Sequence, residues 1–186
     1  MLFRSLLYII ATNREGEKAK EPLVGTVMTN MGLEVSLLQL GVPVERTQVG
    51  DRYILQNLKQ NNWSLGGEPS GHIICRNKTT TGDGIIASLQ VIEALLRSQR
   101  SLEEATAGFE HYPQILKNVE ADTAVLQSDQ LKKRVAEVER QLGTDGRVLI
   151  RASGTEPLVR VMVEGRDAEQ VEKFSQTLAD CVAELG

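Results

Sequence analysis

The chain has 186 residues, enough for one large domain or two small ones. Apolar residues make up 41% and charged residues 25%, which excludes wholesale disorder. With 25 acidic and 21 basic residues the formal charge is −4, which argues against nucleic acid as a partner but leaves room for a local basic pocket.

The first apolar stretch is Leu6-Leu7-Tyr8-Ile9-Ile10, behind a single basic residue, Arg4. Thr12-Asn13-Arg14-Glu15 follows with no small-residue cleavage site, so the stretch reads as a helix and not a leader. Residues 1–5 look foreign to it, as though the chain began midway through a larger protein. Residues 23–28 are short, apolar and β-branched, a buried strand. Asn30 is placed to cap a helix whose apolar residues are Leu33, Leu37, Leu38 and Leu40, closed by Gly41. Residues 44–49 form a candidate strand after Pro43. Asp51 is placed as the cap of the next helix, with Ile54, Leu55 and Leu58 as its inner stripe. Residues 64–67 and 71–76 are short extended pieces around a loop punctuated by glycine and proline.

Ile85, Leu89, Ile92 and Leu96 fall at i, i+4, i+7 and i+11, which predicts a helix with that face inward. Ser101 and Glu104 have capping-box spacing. This alternation of strand and helix predicts a mixed or mostly parallel sheet covered by helices. A boundary falls near residues 110–114. Beyond it come a strand at 115–120, a loop at 121–128, and a helix capped by Asp129 with Leu131, Val135, Val138 and Leu142 inward. Two strands at 147–151 and 158–164 form a hairpin. Asp167 caps a last helix facing inward through Val171, Phe174, Leu178, Val182 and Leu185. The expected fold class is α/β: a sheet domain over residues 1–111, then a small α+β domain over residues 112–186.

No apolar run approaches the roughly 18 residues of a membrane-spanning helix, so no membrane partner is expected. The two cysteines, Cys75 and Cys181, and the two histidines, His72 and His111, are scattered, which predicts neither a zinc site nor a disulfide framework. A reducing, cytoplasmic setting fits this usage.

Four segments carry possible chemistry. In Arg151-Ala152-Ser153-Gly154-Thr155-Glu156-Pro157, followed by Arg160, two hydroxyls, a glycine-freed backbone and two guanidinium groups suit a phosphate. A plain hairpin turn has the same composition, and spacing alone leaves both readings standing. In Gly67-Glu68-Pro69-Ser70-Gly71-His72 an extended backbone would send Glu68, Ser70 and His72 to one side. A carboxylate beside a hydroxyl and an imidazole suits sugar hydroxyls, against the alternative of a solvated turn. Val49-Gly50-Asp51-Arg52-Tyr53 reads as a helix start, with the role of Arg52 open. Lys78-Thr79-Thr80-Thr81-Gly82-Asp83-Gly84 lacks the end of a phosphate-binding Walker loop and the ligands of a calcium loop, so it reads as another helix start.

Together and in this order, these segments resemble the α-D-phosphohexomutases. The family's sugar loop, Gly-Glu-x-Ser-Gly, stands at Gly67 to Gly71, and its phosphate loop, Arg-x-Ser-(Gly/Asn)-Thr-Glu-Pro, at Arg151 to Pro157. The resemblance runs from about Leu6 to the end of the chain, and Thr29 to Glu34, Val49 to Tyr53 and Lys78 to Gly84 resemble a bacterial branch acting on glucosamine phosphates. It implies a three-layer α/β third domain followed by the small fourth domain. It also implies exchange of the 6- and 1-phosphates of glucosamine through an enzyme phosphoserine and a bisphosphate, a step toward UDP-N-acetylglucosamine. By carry-over, Glu68, Ser70 and His72 meet the sugar, and Arg151, Ser153, Gly154, Thr155 and Arg160 hold a phosphate. The family's phosphoserine loop and its Asp-x-Asp-x-Asp magnesium loop have no counterpart in this sequence. The resemblance therefore implies no metal ligand here and no catalytic residue beyond His72 as a candidate. Magnesium would be bound by preceding domains of the same polypeptide, and a hexosamine phosphate is the implied substrate.

Overall fold

The computed structural model describes residues 2–154 and 156–186. Contacts divide the chain into two compact units, Met1–His111 and Tyr112–Gly186.

The first unit runs α1 (Leu2–Thr12), β1 (Leu23–Thr26), α2 (Met31–Gln39), β2 (Val44–Thr47), α3 (Asp51–Gln60), β3 (Leu65–Gly67), β4 (Ile73–Cys75), α4 (Gly84–Ser98) and α5 (Leu102–Thr106). Its sheet has the order β2-β1-β3-β4, with β1 parallel to both neighbours and β4 antiparallel to β3. β1 is buried at every position, as expected of a central parallel strand covered on both faces. On one face α3 packs Ile54 and Leu58 against Val24 and Ile74. On the other, α1, α2 and α4 share a core that includes Leu7, Ile9, Leu33, Leu37 and Val91 with Leu23 and Leu65 of the sheet. The result is a three-layer α/β/α unit. Gly66 permits the close approach of α3, since a Cβ there would lie 2.5 Å from Ile54 Cγ2 and 2.8 Å from the Val24 carbonyl.

Asn30 caps α2 by accepting from Gly32 N at 3.2 Å, and Ser101 with Glu104 closes a reciprocal capping box on α5. Other expectations are corrected. β1 stops at Thr26, because Thr29 N reaches back to the Thr26 carbonyl and turns the chain. Leu38 and Leu40 of the α2 stripe are exposed, leaving Leu33 and Leu37 as its buried pair. The largest departure is α4. Ile85 and Leu96 are each 75% exposed, Leu89 and Ile92 are about half exposed, and the buried face is Ala87, Val91 and Ala94. Two apolar stripes share this helix, and the one with the small side chains fits the close approach to the sheet and α1. Asp51 is the first residue of α3, while the cap position belongs to Gly50 at φ +129°. Asp51 thus acts through its charge in the first turn, not through a capping bond.

The second unit runs β5 (Gln114–Glu120), α6 (Asp129–Leu142), β6 (Gly146–Ala152), β7 (Leu158–Gly165) and α7 (Ala168–Leu185), with 3₁₀ segments at Thr123–Gln127 and Gly143–Asp145. The sheet is antiparallel in the order β5-β7-β6. One sheet face, through Val159, Val161 and Val163, packs on Leu131, Val138, Phe174, Leu178 and Val182 of the two helices. Asp167 caps α7 by accepting from Glu169 N and Gln170 N. At α6 the cap position is Ser128, without a side-chain bond, and the expected cap Asp129 is the first helical residue.

Candidate functional sites

The turn between β3 and β4 is built by the antiparallel pairing of Gly67 with Ile73, closed by Glu68 N to the His72 carbonyl at 3.1 Å and Gly71 N to the Glu68 carbonyl at 3.0 Å. Gly71 sits at φ +103°, which only glycine adopts without strain. The turn, and not an extended run, brings Glu68, Ser70 and His72 together. Glu68 is buried, and its Oε1 accepts from Ser70 Oγ at 2.8 Å. His72 Nδ1 lies 2.9 Å from Ser70 Oγ and 3.3 Å from Glu68 Oε1. A serine hydroxyl has one proton. If it goes to the carboxylate, the Nδ1 position must carry the imidazole proton, which leaves Nε2 as the acceptor of a half-exposed neutral ring. The other Glu68 oxygen, Oε2, accepts from Gly50 N at 3.1 Å. Gly50 was not legible as a site residue. Its signal is a glycine directly before an aspartate-led helix, whose left-handed φ turns the N–H toward the carboxylate.

Arg52 donates to Tyr53 Oη at 2.7 Å and lies over that ring at 4.5 Å, so it packs on its own neighbour. Asp83 accepts from Ile85 N at 2.8 Å and Ile86 N at 3.0 Å, a helix cap, in keeping with the plain reading of its loop.

In the second unit, β6 and β7 pair so that Arg151 stands opposite Arg160, with Asn118 of β5 on the far side of Arg160. Strand alternation puts these residues on the sheet face away from α6 and α7. Like charges directly opposite one another are unfavourable. Arg151 Nε, Arg160 Nε and Ser153 Oγ are buried and make no hydrogen bond. The remaining bonds are weak: Arg151 Nη1 reaches the Ala152 carbonyl at 3.3 Å, and Arg160 Nη2 lies 3.6 Å from Glu156. Burial first, then the Arg160 charge, holds the Arg151 guanidinium below its usual range. A dianion here would supply acceptors for the orphaned donors and relieve the repulsion. Ser153 N is tied to the Leu158 carbonyl at 2.8 Å, which fixes the loop at its base. Gly154 is exposed and an added Cβ would meet nothing within 4 Å. Its φ is not in the left-handed range, so turn geometry does not account for a glycine there. Thr155 lies outside the described residues. Asn118 had no signal in the sequence, because only the strand register places it in this row.

Among the described residues, no three His, Cys, Asp or Glu side chains cluster to hold a metal ion, and no helix is long and apolar enough to cross a membrane.

Comparison with known proteins bears on both units. Residues 4–112 match the phosphoglucomutase/phosphomannomutase α/β/α domain III, and residues 116–180 match the phosphoglucomutase/phosphomannomutase C-terminal domain. The phosphoglucosamine mutase of Aliivibrio fischeri (strain MJ11) is 52% identical over 183 residues, covering 96% of this chain and 41% of that protein. That of Halorhodospira halophila is 53% identical over 177 residues, covering 94% of this chain and 39% of that protein. The chain therefore spans about two fifths of the length of these relatives. In three dimensions it is similar to Aspergillus fumigatus N-acetylphosphoglucosamine mutase solved with GlcNAc-6P and magnesium, at TM-score 0.74 and 19% identity, covering 97% of this chain and 45% of that one.

Proposed function

The chain belongs to the phosphoglucomutase/phosphomannomutase family, with domain III followed by the C-terminal domain, and on that premise we propose that it is the substrate-binding part of a phosphoglucosamine mutase. In this reading, residues 1–111 recognise the sugar and residues 112–186 recognise its phosphate. The complete enzyme interconverts glucosamine 6-phosphate and glucosamine 1-phosphate through a phosphoserine and a bisphosphate, in the cytoplasm, toward UDP-N-acetylglucosamine. Such phosphoryl transfer depends mainly on positioning and charge stabilisation, so binding groups contribute directly to the rate.

The observation that carries the proposal is the row of Arg151, Arg160 and Ser153, with buried donors that find no acceptor in the chain. Arg151 supplies a planar fork for the phosphate, Arg160 and Ser153 add donors, and Gly154 and Thr155 complete the loop. In the other unit Glu68 accepts from sugar hydroxyls, Ser70 holds the carboxylate in place, and His72 offers Nε2 to a hydroxyl or a moving proton. Gly50 N fixes the second carboxylate oxygen so that Glu68 cannot rotate away. Magnesium, present in the Aspergillus complex, would be held outside this chain.

Isothermal titration of the chain with glucosamine 6-phosphate tests this. Arg151→Ala should weaken binding at least tenfold, and Glu68→Gln should weaken glucosamine 6-phosphate while leaving inorganic phosphate unaffected. Unchanged affinity in Arg151→Ala would overturn the phosphate assignment. Parallel titrations with mannose 6-phosphate and glucose 6-phosphate separate this enzyme from relatives acting on other hexoses. The second reading is a non-catalytic sugar-phosphate-binding module, which would use the same Glu68 and Arg151 groups to bind and would turn nothing over. Turnover of glucosamine 6-phosphate by the complete polypeptide that contains this chain would exclude that reading.

A further inference from the structure

At the end of the first unit's strands opposite Glu68, a cavity of about 200 Å³ opens between the segment after α1, the start of β3, the end of β4 and α4. Arg14 is its most deeply buried cation, with a side chain 8% exposed. Its Nε donates to the Ala11 carbonyl at 3.3 Å and its Nη2 to the Glu21 carbonyl at 2.6 Å. Its Nη1 is buried and makes no hydrogen bond; the nearest acid, Glu21, is 4.0 Å away. That carboxylate is already engaged, because its Oε2 accepts from Ser64 N at 3.0 Å and Ser64 Oγ at 2.7 Å. A buried guanidinium N–H without an acceptor is costly.

Two more cations line the same cavity. Lys18 and Lys78 make no ion pair among the described residues. The fourth cation, Arg97, pairs with Glu15 at 3.2 Å and Glu93 at 2.6 Å, so Arg14, Lys18, Lys78 and Arg97 stand against these two acids in the wall. The wall therefore carries an excess of positive charge, converging from segments far apart in sequence. Cys75, also in the wall, adds no negative charge near neutral pH, since burial pushes its thiol up to about 11 despite the opposing Lys78 charge. A polar cavity with unpaired cations and low-dielectric walls concentrates anions.

We infer that this cavity is a second anion site, taking a phosphate group, free or carried on a small molecule, between Arg14, Lys18 and Lys78. It is separate from the Arg151 row and does not depend on the function proposed for that row. Arg14 supplies its unsatisfied Nη1, and the two exposed lysines supply counter-charge.

The test is titration of the whole chain with inorganic phosphate at constant ionic strength, followed by backbone amide chemical shifts. Two saturable events are expected, one at residues 13–18 and 77–78, the other at residues 153–154. The double substitution Lys18→Gln/Lys78→Gln touches only exposed side chains and should weaken the first event at least tenfold, leaving the second intact. Arg151→Ala should do the reverse. A single event abolished by Arg151→Ala, or a first event unmoved by the lysine substitutions, overturns the inference while leaving the loop reading standing. A single event abolished by the lysine pair supports the inference and removes the loop reading. No event overturns both. Repeating the titration with glucosamine 6-phosphate distinguishes a free anion from one borne on a sugar.

Discussion

Two ends of one β-ribbon treat buried charge in opposite ways. On the face of the β5-β7-β6 sheet away from the helices, the register places Gln114, Glu164 and Arg147 in one row, Leu116, Met162 and Leu149 in the next, and Asn118, Arg160 and Arg151 in the last. In the first row Glu164 is fully buried, yet one oxygen accepts from Arg147 Nε and the other from Gln114 Nε2 at 2.8 Å. In the last row two cations face each other and their buried Nε groups find nothing. The contrast teaches where stability and function sit on the same pair of strands. The chain satisfies a buried carboxylate at one end and leaves two buried guanidinium Nε donors without an acceptor at the other, the pattern that supports the proposed anion site.

Glu164→Ala removes the shared acceptor of Arg147 and Gln114, and should lower the unfolding free energy by about 3 kcal/mol in urea titrations. A loss under about 1 kcal/mol would mean the first row is not the structural one. Arg151→Ala should leave stability within about 1 kcal/mol, because it relieves repulsion with Arg160. It should cost about 2 kcal/mol in phosphate affinity by calorimetry, the value of a charge-assisted pair.

The first unit sharpens the lesson through a polar group kept neutral. The Cys75 thiol ionises at about 11 in the fold against 9.0 as its ordinary value. The unfolded chain therefore releases this proton first, so the contribution is complete below pH 9 and is lost as pH rises toward 11. At pH 10 the loss is about 1.4 kcal/mol. The stability difference between the native chain and Cys75→Ala, followed from pH 8 to pH 10, should shrink by that amount, and a constant difference would refute the burial argument. The smallest effect concerns α4, where Leu89→Ser on the outer stripe should change stability by less than about 0.5 kcal/mol in the same urea titrations. A loss of about 2 kcal/mol would instead put that stripe in the core.

Much of the fold was legible because its signals are local. Asn30, Asp83, Ser101 and Asp167 act as helix caps, and the hairpin of residues 147–151 and 158–164 follows from two β-branched runs around a short turn. Helix α4 shows where local signals stop. Periodicity reveals an amphipathic helix, but two stripes have the right spacing, and only the closeness of sheet and α1 selects Ala87, Val91 and Ala94 over the bulkier set. The same limit applies to the candidate sites. Glu68, Ser70 and His72 were expected on one side of an extended run, whereas a turn brings them together. Gly50 and Asn118 were not legible, since one depends on a loop reaching across from another helix and the other on strand register.

The most direct measurement is the ¹H–¹⁵N spectrum of the arginine side chains during titration with inorganic phosphate. The Arg151 and Arg160 Nε–H signals should shift together and saturate, as these two buried donors gain acceptors. If both stay in place while phosphate saturates other sites on the chain, the row opposite Glu164 is not a phosphate site and the central claim fails.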